Sequence, residues 1–164
     1  MLEDIMPANS IPGRLTHFSI GIAVALACAG LASAADAAMG NKEQLVVVER
    51  ATSDSTLDLG ANGDSAGDVL TFSNEIYDKS NKTKIGSDNG YCVRIVAGKA
   101  WECIWTLSLE KGQLTVEGPF LDAGDSMLSI TGGSGMYANA RGDMHLHARD
   151  AKGSEYDFTY NIVR

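Results

Sequence analysis

The chain has 164 residues, of which 45% are apolar and 21% charged, and its formal net charge is −8. This composition is typical of a globular protein, and the length favours a single domain. The acidic balance, with no cluster of Lys or Arg, argues against partners such as nucleic acids and anionic membrane surfaces.

The first 37 residues have the order of a secretory signal peptide. Phe18–Ser33 is an apolar run too short to cross a membrane comfortably as a helix. Arg14 and His17 precede it, and small residues in the pattern Ala-x-Ala follow it up to Ala37. We therefore expect a cleaved leader over residues 1–37, a mature domain over 38–164, and secretion or periplasmic localisation. No stable membrane span is expected after cleavage.

Beyond the leader, short segments rich in β-branched and aromatic residues alternate with turn residues. The first is Glu43–Ala51, and a polar stretch over 52–68 follows, which we expect to be the most mobile part of the mature chain. The later segments are VLTFSNEIYD, GYCVRIVA, WECIWTLSLE, QLTVEGPFL, SMLSITG, DMHLHARD and SEYDFTYNIV. In the last one Tyr156, Phe158, Tyr160 and Ile162 share one face, as in a half-buried strand. The pattern predicts an all-β barrel or sandwich of about eight antiparallel strands.

A glycine-rich stretch, ITGGSGMYANARG, runs from Ile130 to Gly142. A phosphate-binding loop needs a strand before it and a helix after it, so that the helix N-terminus faces the anion. After Gly135 the sequence turns and then alternates as a strand does, and it contains neither G-x-x-x-x-G-K-[ST] nor G-x-G-x-x-G. The glycines therefore predict a corner between two strands and argue against nucleotide binding.

His145 and His147 are two residues apart, so on a strand both side chains point to one face. Such a pair can begin a metal site. The only other histidine lies in the leader, however, and Asp143 and Arg149 share the same face. A solvated outer surface is the better interpretation, and we expect no metal.

Glu49 follows four apolar residues, LVVV. If its side chain points into a closed barrel, it is a buried carboxyl with a raised pKa that can donate or accept a proton. Both faces of this strand are apolar, so periodicity does not decide the direction. On the residues alone, the outward orientation common for glutamate is favoured.

The two cysteines of the mature domain, Cys92 and Cys103, flank a predicted hairpin around residues 97–99. We expect both side chains to point into the barrel. A disulfide, two buried thiols and a thiol that contacts a ligand are all compatible with this arrangement.

Taken in order, the segments GDVLTFSNEIYD, GYCVRI, LTVEGPFL and SMLSITGGSGMYANARG resemble the allene oxide cyclase family, which is related to the dirigent proteins. The resemblance runs from about Glu49 to the C-terminus. It implies a single eight-stranded antiparallel β-barrel, commonly a homotrimer, that holds an apolar small molecule and uses no cofactor. Plant members cyclise an unstable fatty-acid allene oxide to a cyclopentenone, with a glutamate that stabilises charge and asparagines that hold a water.

The resemblance also assigns roles to single residues. Glu49 matches the family's glutamate, which reverses the preference for an outward side chain, and Asn74 matches a water-holding asparagine. These two are the candidate catalytic residues. The candidate substrate-binding residues are Phe72, Cys92, Trp101 and Phe120.

Some positions depart from the family pattern. Phe120 stands where plant members have a tyrosine, Ala51 stands where a second asparagine is expected, and Arg141 resembles a dirigent arginine. We therefore expect an isomerase or cyclase acting on an apolar, unsaturated substrate derived from a fatty acid or a polyene, with weak or absent activity on the plant allene oxide. The alternatives are a non-catalytic carrier or dirigent-like barrel, and a structural domain whose interior is filled by side chains.

Overall fold

Nine β-strands account for most of residues 40–164, the part of the chain that the computed structural model describes. The leader expected over 1–37 lies outside the described residues. The strands are β1 (Lys42–Arg50), β2 (Ser55–Leu57), β3 (Val69–Asp78), β4 (Lys84–Val96), β5 (Ala100–Leu109), β6 (Gly112–Leu121), β7 (Ser126–Gly135), β8 (Arg141–Ala148) and β9 (Glu155–Val163).

Eight of these strands close into an antiparallel barrel, which confirms the predicted fold. Neighbours follow in the order β1-β9-β8-β7-β6-β5-β4-β3, and β1 then pairs with β3 to complete the circle. The ninth strand, β2, pairs with the start of β3 beyond the end of β1. It lies inside the segment predicted to be a loop, and its three residues are all exposed.

The barrel interior is filled by alternate residues of each strand, as the period of two requires. Phe158, Tyr160 and Ile162 of β9 are buried on one face as predicted, with Tyr156 partly buried at its end. Among residues 40–164, no helix is long and apolar enough to cross a membrane.

The glycine-rich stretch forms the corner between β7 and β8, which confirms the interpretation made from the sequence. Gly135 ends β7 with a φ of 60°, a left-handed conformation that favours glycine. A Cβ atom on Gly133 would lie 2.2 Å from the carbonyl oxygen of Tyr137. The glycines therefore allow the backbone to double back on itself.

Polar contacts anchor the segment between β1 and β3, which has few buried apolar side chains. Asp68 accepts hydrogen bonds from the backbone N–H groups of Leu59 (2.9 Å) and Ser65 (2.8 Å). Asp64 forms an ion pair with Arg94 of β4 at 2.6 Å. The mobility expected for this segment remains a prediction.

Candidate active site inside the barrel

A cavity of about 60 Å³ opens into the barrel interior. Most of its wall is aromatic or aliphatic, formed by Leu70, Phe72, Trp105, Phe120, Leu146 and Phe158. The Cys92–Cys103 pair and Tyr156 complete this wall, and Glu49, Asp54 and Asn74 supply its polar groups. This is the composition of a site that holds an apolar molecule against a few fixed polar atoms.

Five of the six candidate site residues line this cavity: Glu49, Phe72, Asn74, Cys92 and Phe120. Trp101, the sixth, is buried but does not line it. Arg94, directly opposite on β4, places its guanidinium carbon 4.0 Å from the Trp101 ring centre and also binds Asp122 at 2.6 Å.

Trp105 forms part of the aromatic wall of the cavity and is not among the residues predicted to contact the ligand. It lies four residues beyond Trp101 on β5 and packs near Phe72 and Phe158, with ring centres 5.9 and 5.6 Å away. The alternation of Trp101, Cys103 and Trp105 was the available signal, because i and i+4 share a face on a strand.

Glu49 points into the barrel and is only 5% exposed. It continues the inward alternation of Leu45 and Val47 on β1, and the register places it opposite Tyr156 of β9. Burial raises the pKa of Glu49 to about 7, with a further contribution from the charge of Asp54, while the hydrogen bond from Asn74 acts in the opposite direction. Both protonation states are thus accessible near neutral pH.

Asn74 fixes the orientation of Glu49. Its Nδ2 donates to Glu49 Oε1 (2.8 Å) and to Asp54 Oδ1 (2.9 Å). Its Oδ1 accepts from the backbone N–H groups of Thr52 and Ser53, both at 3.0 Å, and from the Ser53 hydroxyl. The side chain therefore ties β3 to the chain after β1 and aims its amide at the carboxylate.

Asp88 of β4 lies behind this group, directly opposite Asn74 in the β3–β4 register, and is 0% exposed. Burial, followed by the charge of the adjacent Glu49, raises the pKa of Asp88 to about 9. No sequence motif identifies Asp88 or Asp54 as part of the site.

The two cysteines form a disulfide, which settles the alternatives left open by the sequence. Cys92 and Cys103 are direct partners in the β4–β5 register, with Cα atoms 4.0 Å apart. Cys92 therefore contributes a disulfide sulfur to the cavity wall rather than a thiol.

The two histidines of β8 lie on the outer surface. His145 pairs with Asp143 (3.0 Å) and His147 with Asp125 (2.7 Å), and both histidine side chains are exposed. No group of three or more potential metal ligands is present among the described residues.

Stability should fall as pH rises through the neutral range, because Glu49 and Asp88 both have raised pKa values in the fold. From about pH 5 to pH 8 the folded chain binds more protons than the unfolded chain, so deprotonation favours unfolding. We expect the free energy of unfolding to be lower at pH 8 than at pH 5 by roughly 6 kcal/mol, because Glu49 contributes about two pH units and Asp88 about three, at about 1.4 kcal/mol for each unit. Urea unfolding at the two pH values measures this difference, and greater stability at pH 8 would contradict it.

This barrel is similar in sequence or structure to several known proteins. The sequence model described as allene oxide cyclase matches residues 44–149. A solved pyocyanin demethylase is 22% identical with a TM-score of 0.61, covering 71% of this chain and 98% of its own. A pterocarpan synthase dirigent protein is 14% identical (TM-score 0.60; 77% and 98% covered), and the Diels-Alderase AbmU from Streptomyces koyangensis is 18% identical (TM-score 0.61; 86% and 84%). At these identities the three structures share the fold, and the fold alone does not fix a substrate.

Proposed function

The chain belongs to the allene oxide cyclase family, and we propose that it is an intramolecular isomerase or cyclase of an apolar, unsaturated substrate derived from a fatty acid or a polyene. The buried carboxyl of Glu49, held by Asn74 in a mostly apolar cavity, is the observation that carries this proposal. An unpaired charge in such a place costs several kcal/mol, so stability alone favours an apolar residue there. A ligand that develops charge beside Glu49 accounts for its presence, and the Diels-Alderase of the same fold supports a ring-forming reaction.

Glu49 would serve the reaction in either protonation state. As an acid it donates a proton to an oxygen or a double bond of the substrate, and as a carboxylate it stabilises a developing positive charge. Asn74 holds the carboxyl in one orientation, so little reorganisation accompanies the reaction. An isomerisation conserves mass, so no co-reactant is consumed.

The aromatic wall would select one folded conformer of a flexible substrate. Phe120 lacks the hydroxyl of the tyrosine expected at its position, but the Tyr156 ring meets it edge-on with ring centres 6.0 Å apart. Burial raises the pKa of Tyr156 to about 12, so its phenol stays protonated and able to donate a hydrogen bond. Tyr156 would thus supply the hydroxyl that Phe120 does not.

Ligand binding requires the wall to move outward. The cavity volume of about 60 Å³ is below the roughly 300–1,000 Å³ typical of small-molecule sites. Phe120 and Tyr156 are only partly buried, and we propose that these two side chains swing outward together with the Asp54 segment. A domain with a permanently filled interior would also show a small cavity, so binding itself has to be measured.

Fluorescence titration with cis-parinaric acid, a conjugated polyene fatty acid, tests binding inside the barrel. Leu70→Trp adds bulk to the cavity wall, and we expect it to weaken binding about tenfold or more because the added ring fills the space the probe needs. Met127→Trp, at an exposed position on β7, is the matched control and should leave binding unchanged. Absence of binding to the native protein would favour the structural-domain alternative.

A carrier or dirigent-like binder is the second candidate function. It is favoured by the dirigent protein of the same fold and by Ala51, which removes one polar group expected near Glu49. A carrier binds the ligand without changing it, so turnover separates the two candidates.

We also propose that the barrel forms a homotrimer through its outer face. Tyr91 and Ile95 project from β4 with 52% and 55% of their surface exposed, and Leu57 lies nearby on β2. Exposed apolar side chains grouped in this way are typical of an interface. Sedimentation at micromolar concentration should give the mass of three chains, because burial of these side chains stabilises the assembly.

Tyr91→Asp should reduce that mass to one chain by placing a charge in the interface. Met127→Asp, at an equally exposed position on β7, should leave the trimer intact. A native protein with the mass of one chain would contradict the trimer.

Export into an oxidising compartment is the localisation we propose. The Cys92–Cys103 disulfide supports it, because such bonds persist outside the cytosol. The expected leader over residues 1–37 would direct this export, and the N-terminal residue of the exported protein would locate the cleavage site.

A further inference from the structure

Asp88 is a fully buried acid, and within residues 40–164 neither of its carboxyl oxygens has a hydrogen-bond partner at normal distance and angle. Asn74 lies directly opposite Asp88, but its side-chain amide donates to Glu49 and Asp54 instead. The Trp105 Nε1 and Tyr160 hydroxyl groups are also buried without a hydrogen-bond partner in the described part of the chain. An ionised Asp88 would therefore be a buried charge with nothing to solvate it.

Asp68 is a second buried aspartate, and its hydrogen bonds favour the ionised form. Backbone N–H groups of Ser65 and Leu59 donate to it and hold its pKa below the usual value. For Asp88 the backbone of Asn74 also lowers the pKa, but burial and the charge of Glu49 outweigh it. The two buried aspartates should therefore carry opposite protonation states at neutral pH.

The groups that face Asp88 are acidic or neutral. They are Glu49 on β1, Asp54 after β1, Asn74 on β3 and Tyr160 on β9, and none of these is a cation. Two ionised carboxylates only accept hydrogen bonds, so Glu49 and Asp88 satisfy each other only if one of them carries a proton. Asn74 occupies Glu49 Oε1, which leaves Oε2 as the available acceptor.

We propose that Asp88 remains protonated through neutral pH and donates a hydrogen bond to Glu49, so that the two carboxyl groups act as one proton-sharing pair. This inference rests on the proposed function of Glu49 and extends it to a residue outside the cavity wall. Asp88 does not line the cavity, and it acts through Glu49 as a positioning residue.

The Glu49–Asp88 pair has a net charge of either 0 or −1, because Asp88 keeps its proton. When Glu49 gives its proton to the substrate, the Asp88 hydroxyl stabilises the carboxylate that forms. When ring closure releases a proton from the substrate, Glu49 takes it back, and the pair returns to its starting state. No other reactant is consumed, and Asp88 keeps its own proton throughout.

Infrared spectroscopy of the full protein detects the Asp88 proton directly. At pH 8, where Glu49 is mostly ionised, we expect the carbonyl stretch of one protonated carboxyl in the wild-type protein, lost on titration above pH 10. Asp88→Asn should remove this band, whereas Glu49→Gln and the matched buried control Asp68→Asn should retain it. Absence of the band in the wild type, or its persistence in Asp88→Asn, would overturn the proposal.

A second measurement follows Glu49 itself, through the carboxyl resonance of ¹³C-labelled glutamate that is missing in Glu49→Gln. Asp88→Asn keeps a neutral donor beside Glu49, so the titration midpoint of Glu49 should stay at or below the wild-type value. Asp88→Ala removes the donor, and the midpoint should rise by about one pH unit.

Equal midpoints in Asp88→Asn and Asp88→Ala would contradict the hydrogen bond. These results do not depend on turnover. Absence of the infrared band in the wild-type protein would therefore reject the pair without affecting the catalytic role of Glu49. Wild-type turnover by the Glu49→Gln variant would reject the proposed function without affecting the pair.

Discussion

Replacing Glu49 with glutamine should lower turnover of the apolar substrate by roughly 100- to 10,000-fold, the usual contribution of a positioned acid or base. Glutamine has nearly the same shape, and its carbonyl oxygen can still accept the hydrogen bond from Asn74 Nδ2. It carries no charge and delivers no acidic proton, so only the chemical step should suffer. We expect the affinity for cis-parinaric acid to change by less than about threefold, because the apolar wall that holds the probe is intact.

Glu75→Gln is the matched control for this substitution. Glu75 lies on β3 and contacts Lys84 and Tyr77 at the outer surface, away from the cavity. It should retain wild-type turnover. Turnover that survives Glu49→Gln would contradict the role given to Glu49.

Removing the Cys92–Cys103 disulfide should lower the free energy of unfolding. The Cys92→Ala/Cys103→Ala double variant frees a chain segment closed over a separation of 11 residues. The unfolded chain then gains entropy, which corresponds to about 3 kcal/mol at this loop length. Urea unfolding under oxidising conditions should show this difference.

The same measurement with a reductant supplies the control. Wild-type protein should lose a similar amount of stability when reduced, and the double variant should be unaffected. A double variant as stable as the oxidised wild type would contradict the expectation.

The sequence predicted most of the barrel because its strands carry strong local signals. The sequence pattern delimits Val69–Asp78 as a segment, and the structure places β3 over the same residues. The inward face of β9 also followed from simple alternation. These segments are half-buried strands in which pattern and environment agree.

Asp88 was missed because the first half of β4 has the composition of a turn. The residues KIGSDN contain Gly, Ser, Asp and Asn, so the predicted strand began only at Gly90. Pairing with β3 and β5 on both sides overrides this low propensity. Gly90 is required by packing, since a Cβ there would lie 2.3 Å from the Cβ of Trp105.

The direction of Glu49 needed information from outside its own strand. Its four apolar neighbours are compatible with either face, and only the family resemblance favoured the interior. In the structure the inward carboxyl group is held by Asn74, which is 25 residues away along the chain. Asp54 could not be predicted for a related reason, because it lies in an irregular polar segment without periodicity.

The central claim is that the protein catalyses a mass-conserving reaction that depends on Glu49. To test it most directly, an apolar extract of the producing cells is incubated with the protein and then analysed by chromatography with mass spectrometry. We expect one component to be converted by the wild-type protein to a product of identical mass and different retention, and to remain unchanged with Glu49→Gln. If the protein binds cis-parinaric acid but no component changes at constant mass, or if both proteins convert it equally, the isomerase account is contradicted.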